Sequence, residues 1–347
     1  MKLAQIFRDG LILQQNKPIR VFGEGVGNVT VRLELESGGD VQYRTAKADE
    51  KDRWLVELDA RPAGGPYIMT VTCGLESITL RSIMIGTLLL FTGQSNNAMT
   101  MAEEVTPESE YVRDALLRIY FPDRILKNEG SNINAGWMSA FPERIGSWAA
   151  LAYLLGLEYR RAEPDTAVGL VVCSQGASCI QSWMDETLFR GDDEALAYHH
   201  NPVERYKLFN GPGMLYHHML EPLMPMSFGY AVWYQGECNT YPNEAQNYRR
   251  MLEMLVSCHR KGFMDDELFF CIVQIADNIS PKHPELWKLV QDTQAEAPSF
   301  IPHCTTVKCA DICENDVIHP PTKWKLAKRI HTAMNFKFTA INKLPSN

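Results

Sequence analysis

The pattern of apolar and polar residues changes once along this chain of 347 residues, near Ile83. Before that point, short runs with alternating apolar and polar residues recur between turn-rich segments, as in "VTVRLEL", "WLVEL" and "YIMTVTC". Short alternating runs at even spacing, separated by turns that contain Gly and Pro, are typical of a β-sandwich. We therefore predict a small, sandwich-like all-β domain over residues 1–82.

After Ile83 the apolar runs become continuous, as in "IMIGTLLLF", "AVGLVVC", "FGYAVWYQ" and "LFFCIVQI". Runs without polar alternation suit strands that are buried on both faces of a parallel sheet. Stretches with helical character lie between them. Alternating strands and helices predict a doubly wound α/β domain with a parallel sheet over residues 83–347.

The sequence also predicts where three of these helices lie. One should begin after Ser147 as its N-cap, and one should run from Glu244 to a C-cap at Gly262. A third helix should follow the segment "DVIHPP". Its predicted buried face consists of Trp324, Ala327 and Ile330.

Composition excludes several classes of function. The formal net charge of −8 and the lack of a basic run argue against nucleic acid or an anionic membrane surface as a partner. The longest apolar run is too short to span a bilayer. The first residues lack the charged-then-apolar layout of a signal peptide, so we expect a cytoplasmic protein.

The nine cysteines are irregularly spaced, which favours free, buried thiols. Cys304, Cys309 and Cys313 lie near His303, but their spacing matches no common zinc pattern. We therefore expect neither a metal nor a cofactor.

Polar residues follow the predicted parallel strands where those strands end. In the segment "LLLFTGQSNN", Gly93 ends the apolar run and Ser95 follows two residues later. A serine hydroxyl becomes a nucleophile when a base removes its proton. A helix N-cap is the structural alternative for this serine. Gly176, in "CSQGASC", lets a backbone N–H approach a ligand. The alternative is that it is an ordinary loop glycine. Ligands bind beyond the carboxyl ends of such strands, so both residues are site candidates.

A third polar cluster follows the strand-like run "AVWYQ". Its members Gln235, Glu237 and Asn239 are costly to bury unless they are paired. Asn239 could donate side-chain N–H groups to a developing oxyanion, or it could cap the next helix. Glu237 could fix a loop or bind a substrate hydroxyl.

The last cluster is "ENDVIHPPTK", in which Asp316 and His319 stand three residues apart. This spacing would let the carboxylate contact the imidazole, fix its tautomer and stabilise the imidazolium that forms when a serine is deprotonated. Asp311 is a second candidate for the same role. Taken together, four polar clusters after four successive strand-like segments favour a catalytic site with serine as nucleophile.

These blocks resemble those of SGNH-type hydrolases, within the sialate O-acetylesterase-like branch of carbohydrate esterases. The similar segments are "GQSN", "SQGASCIQSW", "WYQGECN" and "DVIHP", together with "RDGLILQQNKPIRVFGEG" near the start of the chain. This sequence has Cys238 where the family commonly has serine. The resemblance implies a flavodoxin-like sheet for the larger domain.

The resemblance also implies roles for individual residues. Ser95 matches the nucleophile, and His319 the base, with Asp316 as its orienting acid. Ser95 and Gly176 would supply backbone N–H groups to the oxyanion hole, and Asn239 its side chain. The residues that could bind substrate are Gln94, Gln235, Glu237 and Trp183.

The implied reaction is the removal of O-acetyl groups from sugars, with O-acetylated sialic acids as the first choice of substrate. Acetylated xylo-oligosaccharides are the alternative within this class. A non-catalytic carbohydrate-binding protein and a general lipase or thioesterase are the alternatives outside it. Trp137, Trp183 and Trp233 could line a sugar-stacking pocket or belong to the core.

Overall fold

A computed structural model describes residues 1–125, 136–192 and 204–341. The first part of the chain forms strands β1 (Lys2–Leu3), β2 (Ile12–Gln14), β3 (Ile19–Glu24), β4 (Val31–Ser37), β5 (Asp40–Ala46), β6 (Arg53–Leu58) and β7 (Gly64–Cys73). β1, β3 and β6 form one antiparallel sheet, while β4 pairs with β5 and β7. Val21, Leu33 and Val56 from these strands share one buried cluster, which explains the alternating sequence pattern.

The long strand β8 (Glu76–Gly93) connects the two parts of the protein. Its first half pairs antiparallel with β7, and β2 pairs in parallel with it from Ile12 to Gln14. Its second half lies between two parallel strands of the large sheet. The change of sequence pattern near residue 83 therefore falls inside one continuous strand, which belongs to both parts.

The large sheet is mixed. Its remaining strands are β9 (Asp114–Tyr120), β10 (Met138–Ala140), β11 (Ala167–Ser174), β12 (Tyr230–Tyr234), β13 (Phe269–Val273) and β14 (Cys304–Val307). The spatial order is β10-β9-β11-β8-β12-β13-β14, with β10 antiparallel to β9 and the other neighbours parallel. The prediction of an α/β fold with a largely parallel sheet in the second part agrees with this arrangement.

Helices cover both faces of the parallel strands. In the described residues, the α-helices are α1 (Ser95–Ala98), α2 (Pro142–Ile145), α3 (Ala150–Ala162), α4 (Glu204–Asn210), α5 (Glu244–Phe263), α6 (Pro284–Phe300) and α7 (Lys323–Ile341). Successive strand residues such as Leu88 and Leu89 belong to two different buried clusters. One cluster includes α5 and α6, and the other includes α3 and α7. Burial on both sides explains why these strands have continuous apolar sequences.

Three details of the helix predictions are wrong. α3 begins at Ala150 with Ala149 as N-cap, and the hydroxyl of Ser147 donates to the Arg144 carbonyl instead. α5 continues past Gly262 and ends at Phe263, before Met264 with a left-handed φ of 54°. Gly262 instead packs closely against Met224, because a Cβ there would lie 2.2 Å from the Met224 sulfur and would displace that side chain.

The third detail concerns the buried face of α7. Ala327 and Ile330 are buried as predicted, but Trp324 is 38% exposed, and the ammonium group of Lys328 lies 5.2 Å from its ring centre. The helix packs mainly against α3 and buries Leu326. Among the described helices, none has both the length and the apolar character required to cross a bilayer.

Candidate active site

Three neighbouring strands of the large sheet end at the same level. Gly93 at the end of β8 is in register with Ser174 on β11 and with Tyr234 on β12. The loops that carry Ser95, Gly176 and residues 235–239 therefore leave the sheet at one edge. This is the carboxyl edge, where ligands bind in parallel α/β sheets.

The backbone at Gly93 explains how the serine is presented. Its φ is 137°, and a Cβ there would lie 2.1 Å from the Tyr234 carbonyl oxygen, so only glycine fits. The chain turns directly into α1, whose N-cap is Gln94 and whose first residue is Ser95. The alternative role of Ser95 as N-cap is therefore not what the structure shows.

The hydroxyl of Ser95 contacts the imidazole of His319, although 224 residues separate them in sequence. Nε2 of His319 lies 2.8 Å from Oγ of Ser95. Partial burial, together with the charge of Lys323, lowers the pKa of His319, while Glu103 opposes this shift. The imidazole is therefore neutral at neutral pH and is able to accept the serine proton.

Gly176 lies beside the serine, because a Cβ on this glycine would be 3.6 Å from Cβ of Ser95. Within the part of the chain that the structure describes, neither Ser95 nor Gly176 donates its backbone N–H to a protein acceptor. Two N–H groups next to a nucleophile are what an oxyanion hole needs. The structure thus brings together three of the predicted residues: Ser95, Gly176 and His319.

Asn239 is fully buried, and its side-chain amide is already bonded to the protein. Nδ2 donates to Oε1 of Gln181 at 3.0 Å and to Oε2 of Glu244 at 2.8 Å. Oδ1 accepts from the Ile180 N–H and from Nε2 of Gln235. Both amide hydrogens are thus in use, and the structure does not present Asn239 as an available oxyanion donor.

The predicted substrate-binding residues Gln94 and Gln235 are also buried and bonded within the protein. Oε1 of Gln94 accepts a hydrogen bond from the backbone N–H of Cys238 at 3.3 Å. Gln235 donates to the Ser178 carbonyl and accepts from the Tyr248 hydroxyl. These bonds hold the loops together at the sheet edge.

Of the three tryptophans proposed for sugar stacking, two are fully buried and Trp137 is partly buried. Trp183 and Trp233 are fully buried and contact each other edge to face, and Nε1 of Trp183 donates to the Ser178 hydroxyl. Trp137 packs on Tyr120 and donates to the Ile6 carbonyl. All three belong to the core or to its edge.

The structure does not pair His319 with either candidate acid. Asp316 is exposed, and among the described residues no hydrogen bond joins it to His319. Asp311 instead binds the guanidinium group of Arg329, which holds the pKa of that carboxyl at about 2. The orienting role of Asp316 thus has no supporting contact.

Sequence reasoning missed the residues that hold the histidine segment in place. Asn96, directly after the nucleophile, donates to the Ile318 carbonyl at 2.9 Å and to Glu237 at 2.6 Å. Lys323 donates to Oδ1 of Asn96 at 2.7 Å. Glu104 accepts from the Lys323 N–H and so caps α7. The position of Asn96 beside Ser95 is a usable sequence signal, whereas a lysine at a helix start normally indicates an exposed side chain.

Metal-binding types of side chain come together elsewhere in the described residues. Asp185, Glu186 and His217 form an exposed group, but both ring nitrogens of His217 already contact carboxylates, those of Glu186 and Glu221. The cysteines near His303 are not part of a comparable group among the described residues.

Comparison with known proteins identifies the family of this chain. The family described as carbohydrate esterase, sialic acid-specific acetylesterase, matches residues 86–335. A sialate O-acetylesterase from Pongo abelii is 25% identical over 95% of this chain and 69% of its own length, and one from Mus musculus is 24% identical over 93% and 71%.

A solved structure of a carbohydrate acetylesterase from Xanthomonas citri shares the fold with a TM-score of 0.81. It is 26% identical, and the match covers 96% of this chain and 74% of that one. Since the family match spans more than half of the chain and includes all the polar clusters of the site, the chain belongs to the sialic acid-specific acetylesterase family of carbohydrate esterases and is a carboxylic ester hydrolase.

Proposed function

We propose that the protein removes acetyl groups from sugar hydroxyls through an acyl-enzyme on Ser95. The observation that carries the proposal is the 2.8 Å contact between Oγ of Ser95 and Nε2 of His319. His319 takes the serine proton as Oγ attacks the ester carbonyl, and then gives it to the departing sugar oxygen. In the second half, His319 activates water, which attacks the acyl carbon and releases acetate.

The negative charge on the carbonyl oxygen would be stabilised by the N–H groups of Ser95 and Gly176. Each such donor is worth roughly a hundred- to a thousandfold in rate. Asn239 could add a third donor only by giving up its bond to Gln181 or to Glu244. In this proposal, Asn239 therefore supports the loops in the resting enzyme, and two backbone donors form the oxyanion hole.

The role first assigned to Asp316 stays a prediction. A carboxylate on Nδ1 of the histidine would complete a Ser-His-Asp triad, but the described residues contain no such bond. We propose that Ser95 and His319 act as a pair, and that the segment before the histidine is held by other side chains.

O-acetylated sialic acids are the first choice of substrate, because the enzymes to which this chain is similar include sialate O-acetylesterases. A second candidate is another acetylated sugar, such as an acetylated xylo-oligosaccharide. The observation in its favour is the similarity to a structure described as a carbohydrate acetylesterase.

Acetate release from a panel of O-acetylated sialic acids and acetylated xylo-oligosaccharides would test both activity and substrate. We expect release from at least the sialic acids, and none with Ser95→Ala. A fluorophosphonate probe should label the parent protein and not Ser95→Ala. No acetate release from any sugar and no labelling of Ser95 would contradict the proposal and favour a non-catalytic binding protein.

A further inference from the structure

A cluster of three buried polar side chains lies behind the contact between Ser95 and His319. Asn96 follows the nucleophile, Glu237 follows β12, and Lys323 is the first residue of α7. Asn96 is 1% exposed, Glu237 6% and Lys323 0%. They come from three distant segments of the chain, which meet only in the folded protein.

Asn96 is the centre of this cluster. Its Nδ2 donates to Oε1 of Glu237 at 2.6 Å and to the Ile318 carbonyl at 2.9 Å, while its Oδ1 accepts from Nζ of Lys323 at 2.7 Å. Ile318 directly precedes His319. One amide group thus ties the nucleophile's helix to the backbone of the catalytic histidine.

The two charged partners determine which way this amide faces. An ammonium group only donates hydrogen bonds, and an ionised carboxylate or a carbonyl only accepts them. If the Asn96 amide turned over, its N–H groups would face Nζ of Lys323, and its oxygen would face Glu237 and the Ile318 carbonyl. All three contacts would then be repulsive, so Lys323 on one side and Glu237 on the other hold the amide in the orientation that contacts Ile318.

Burying two ionisable side chains is unfavourable for stability, and well-packed apolar residues would often be at least as stable. Burial lowers the pKa of Lys323 and raises that of Glu237, in each case opposing the charged form. Oε2 of Glu237 has no hydrogen-bond partner among the described residues. Stability therefore does not explain the cluster, whereas the orientation of Asn96 does.

We propose that Lys323 and Glu237, acting through Asn96, are positioning residues that hold His319 at hydrogen-bond distance from Ser95. This proposal rests on the proposed function and deepens it: the cluster performs the positioning work otherwise assigned to an orienting acid. It also gives Glu237 a role away from the substrate, in contrast to the sugar-binding alternative.

The first test compares Lys323→Met with Lys325→Met, an exposed lysine two residues further along α7. Rates are measured with 4-nitrophenyl acetate across a range of pH. Lys323→Met should lower kcat by about a hundredfold, the effect of misplacing a catalytic group by about 1 Å, with little change in KM. Because the Lys323 charge lowers the pKa of His319, the acid limb of the profile should also move to higher pH. Lys325→Met should match the parent in both respects.

A second pair of variants separates positioning from folding. Asn96→Ala removes the tether to Ile318 and should reduce kcat as Lys323→Met does. The double variant Lys323→Met/Glu237→Gln removes both charges, so it avoids the uncompensated buried carboxylate that could prevent the single variant from folding. We expect the circular dichroism spectrum of the double variant to match that of the parent, which shows that it folds. Its kcat should still be lower than that of the parent.

The outcomes distinguish this proposal from the proposed function. If Ser95→Ala is inactive while Asn96→Ala and the double variant retain the parent kcat and pH profile, the positioning role is refuted and the esterase mechanism stands. If Ser95→Ala retains the parent activity, the esterase mechanism itself fails. A loss of kcat in Asn96→Ala and in the double variant, with KM retained, supports the positioning role.

Discussion

The replacement of Asp316 by Asn discriminates between a triad and a pair of catalytic residues. In serine hydrolases with a Ser-His-Asp triad, changing the acid to its amide lowers kcat by about ten-thousandfold, because the histidine takes the wrong tautomer. Here Asp316 is exposed and makes no hydrogen bond to His319 among the described residues. The account therefore predicts a far smaller effect from Asp316→Asn.

The size of that effect follows from the position of the carboxylate. An exposed charge that interacts only through solvent contributes about 1 kcal/mol at most, which corresponds to roughly fivefold in rate. We therefore expect Asp316→Asn to change kcat/KM for acetate release by less than about fivefold. The pH profile should shift only slightly, and added salt should reduce the difference from the parent further.

The assay is acetate release at neutral pH with the parent, Asp316→Asn, Asp311→Asn and His319→Ala. His319→Ala marks the level of activity without a base. Asp311→Asn controls for removing an acid from the same segment. A fall of a thousandfold or more in a folded Asp316→Asn protein, with Asp311→Asn near the parent, would show that Asp316 reaches Nδ1 when substrate binds and would refute the reasoning.

Three further results are expected. The acid limb of kcat/KM should have its midpoint below the ordinary histidine pKa of about 6.5, because burial and Lys323 favour the neutral form of His319; a midpoint above that value in a pH–rate profile would contradict this. Asn239→Ala should lower the free energy of unfolding in urea by about 2–4 kcal/mol, because it leaves buried hydrogen-bond partners unpaired. The kcat of the folded variant should stay within about tenfold of the parent. A hundredfold loss of kcat would instead identify Asn239 as an oxyanion donor. Burial raises the pKa of Glu244 from 4.5 to about 8, so its contribution to stability is present below pH 4.5 and is lost as the pH rises through 8. In thermal unfolding measured across pH, Glu244→Gln should therefore lose less stability than the parent as the pH rises. If stability falls with pH equally in both proteins, Glu244 is not the cause.

The sequence predicts the sheet edge well, because its signals are local. Continuous apolar runs identify the buried strands, and the glycine and polar residues after them mark where each strand ends. Gly93 illustrates this: its place before Ser95 indicates a sharp turn, and the structure shows a φ of 137° there. The contact between Ser95 and His319 spans 224 residues and depends on the order of the strands. The residue types suggested such a catalytic site, but their spacing alone could not place the two side chains together.

The residues that were misjudged depend on tertiary contacts. Trp183 is buried by Trp233, a residue fifty positions away, and no local pattern distinguishes a core tryptophan from one that binds sugar. Lys323 is buried in the folded protein, where its ammonium group donates to Asn96 and lies 5.4 Å from the ring centre of Tyr234. Asn239 has the correct chemistry for an oxyanion donor, but its hydrogens are used within the protein.

The central claim is that Ser95 and His319 act as one catalytic unit, and kinetics of single and double variants test it most directly. Acetate release would be compared among the parent, Ser95→Ala, His319→Ala and the double variant. Residues that act as a unit are strongly non-additive, so each variant should lose roughly 10⁴- to 10⁶-fold in kcat, and the double variant should be no slower than the slower single variant. Independent losses that multiply in the double variant, or a Ser95→Ala protein with the parent rate, would contradict the account.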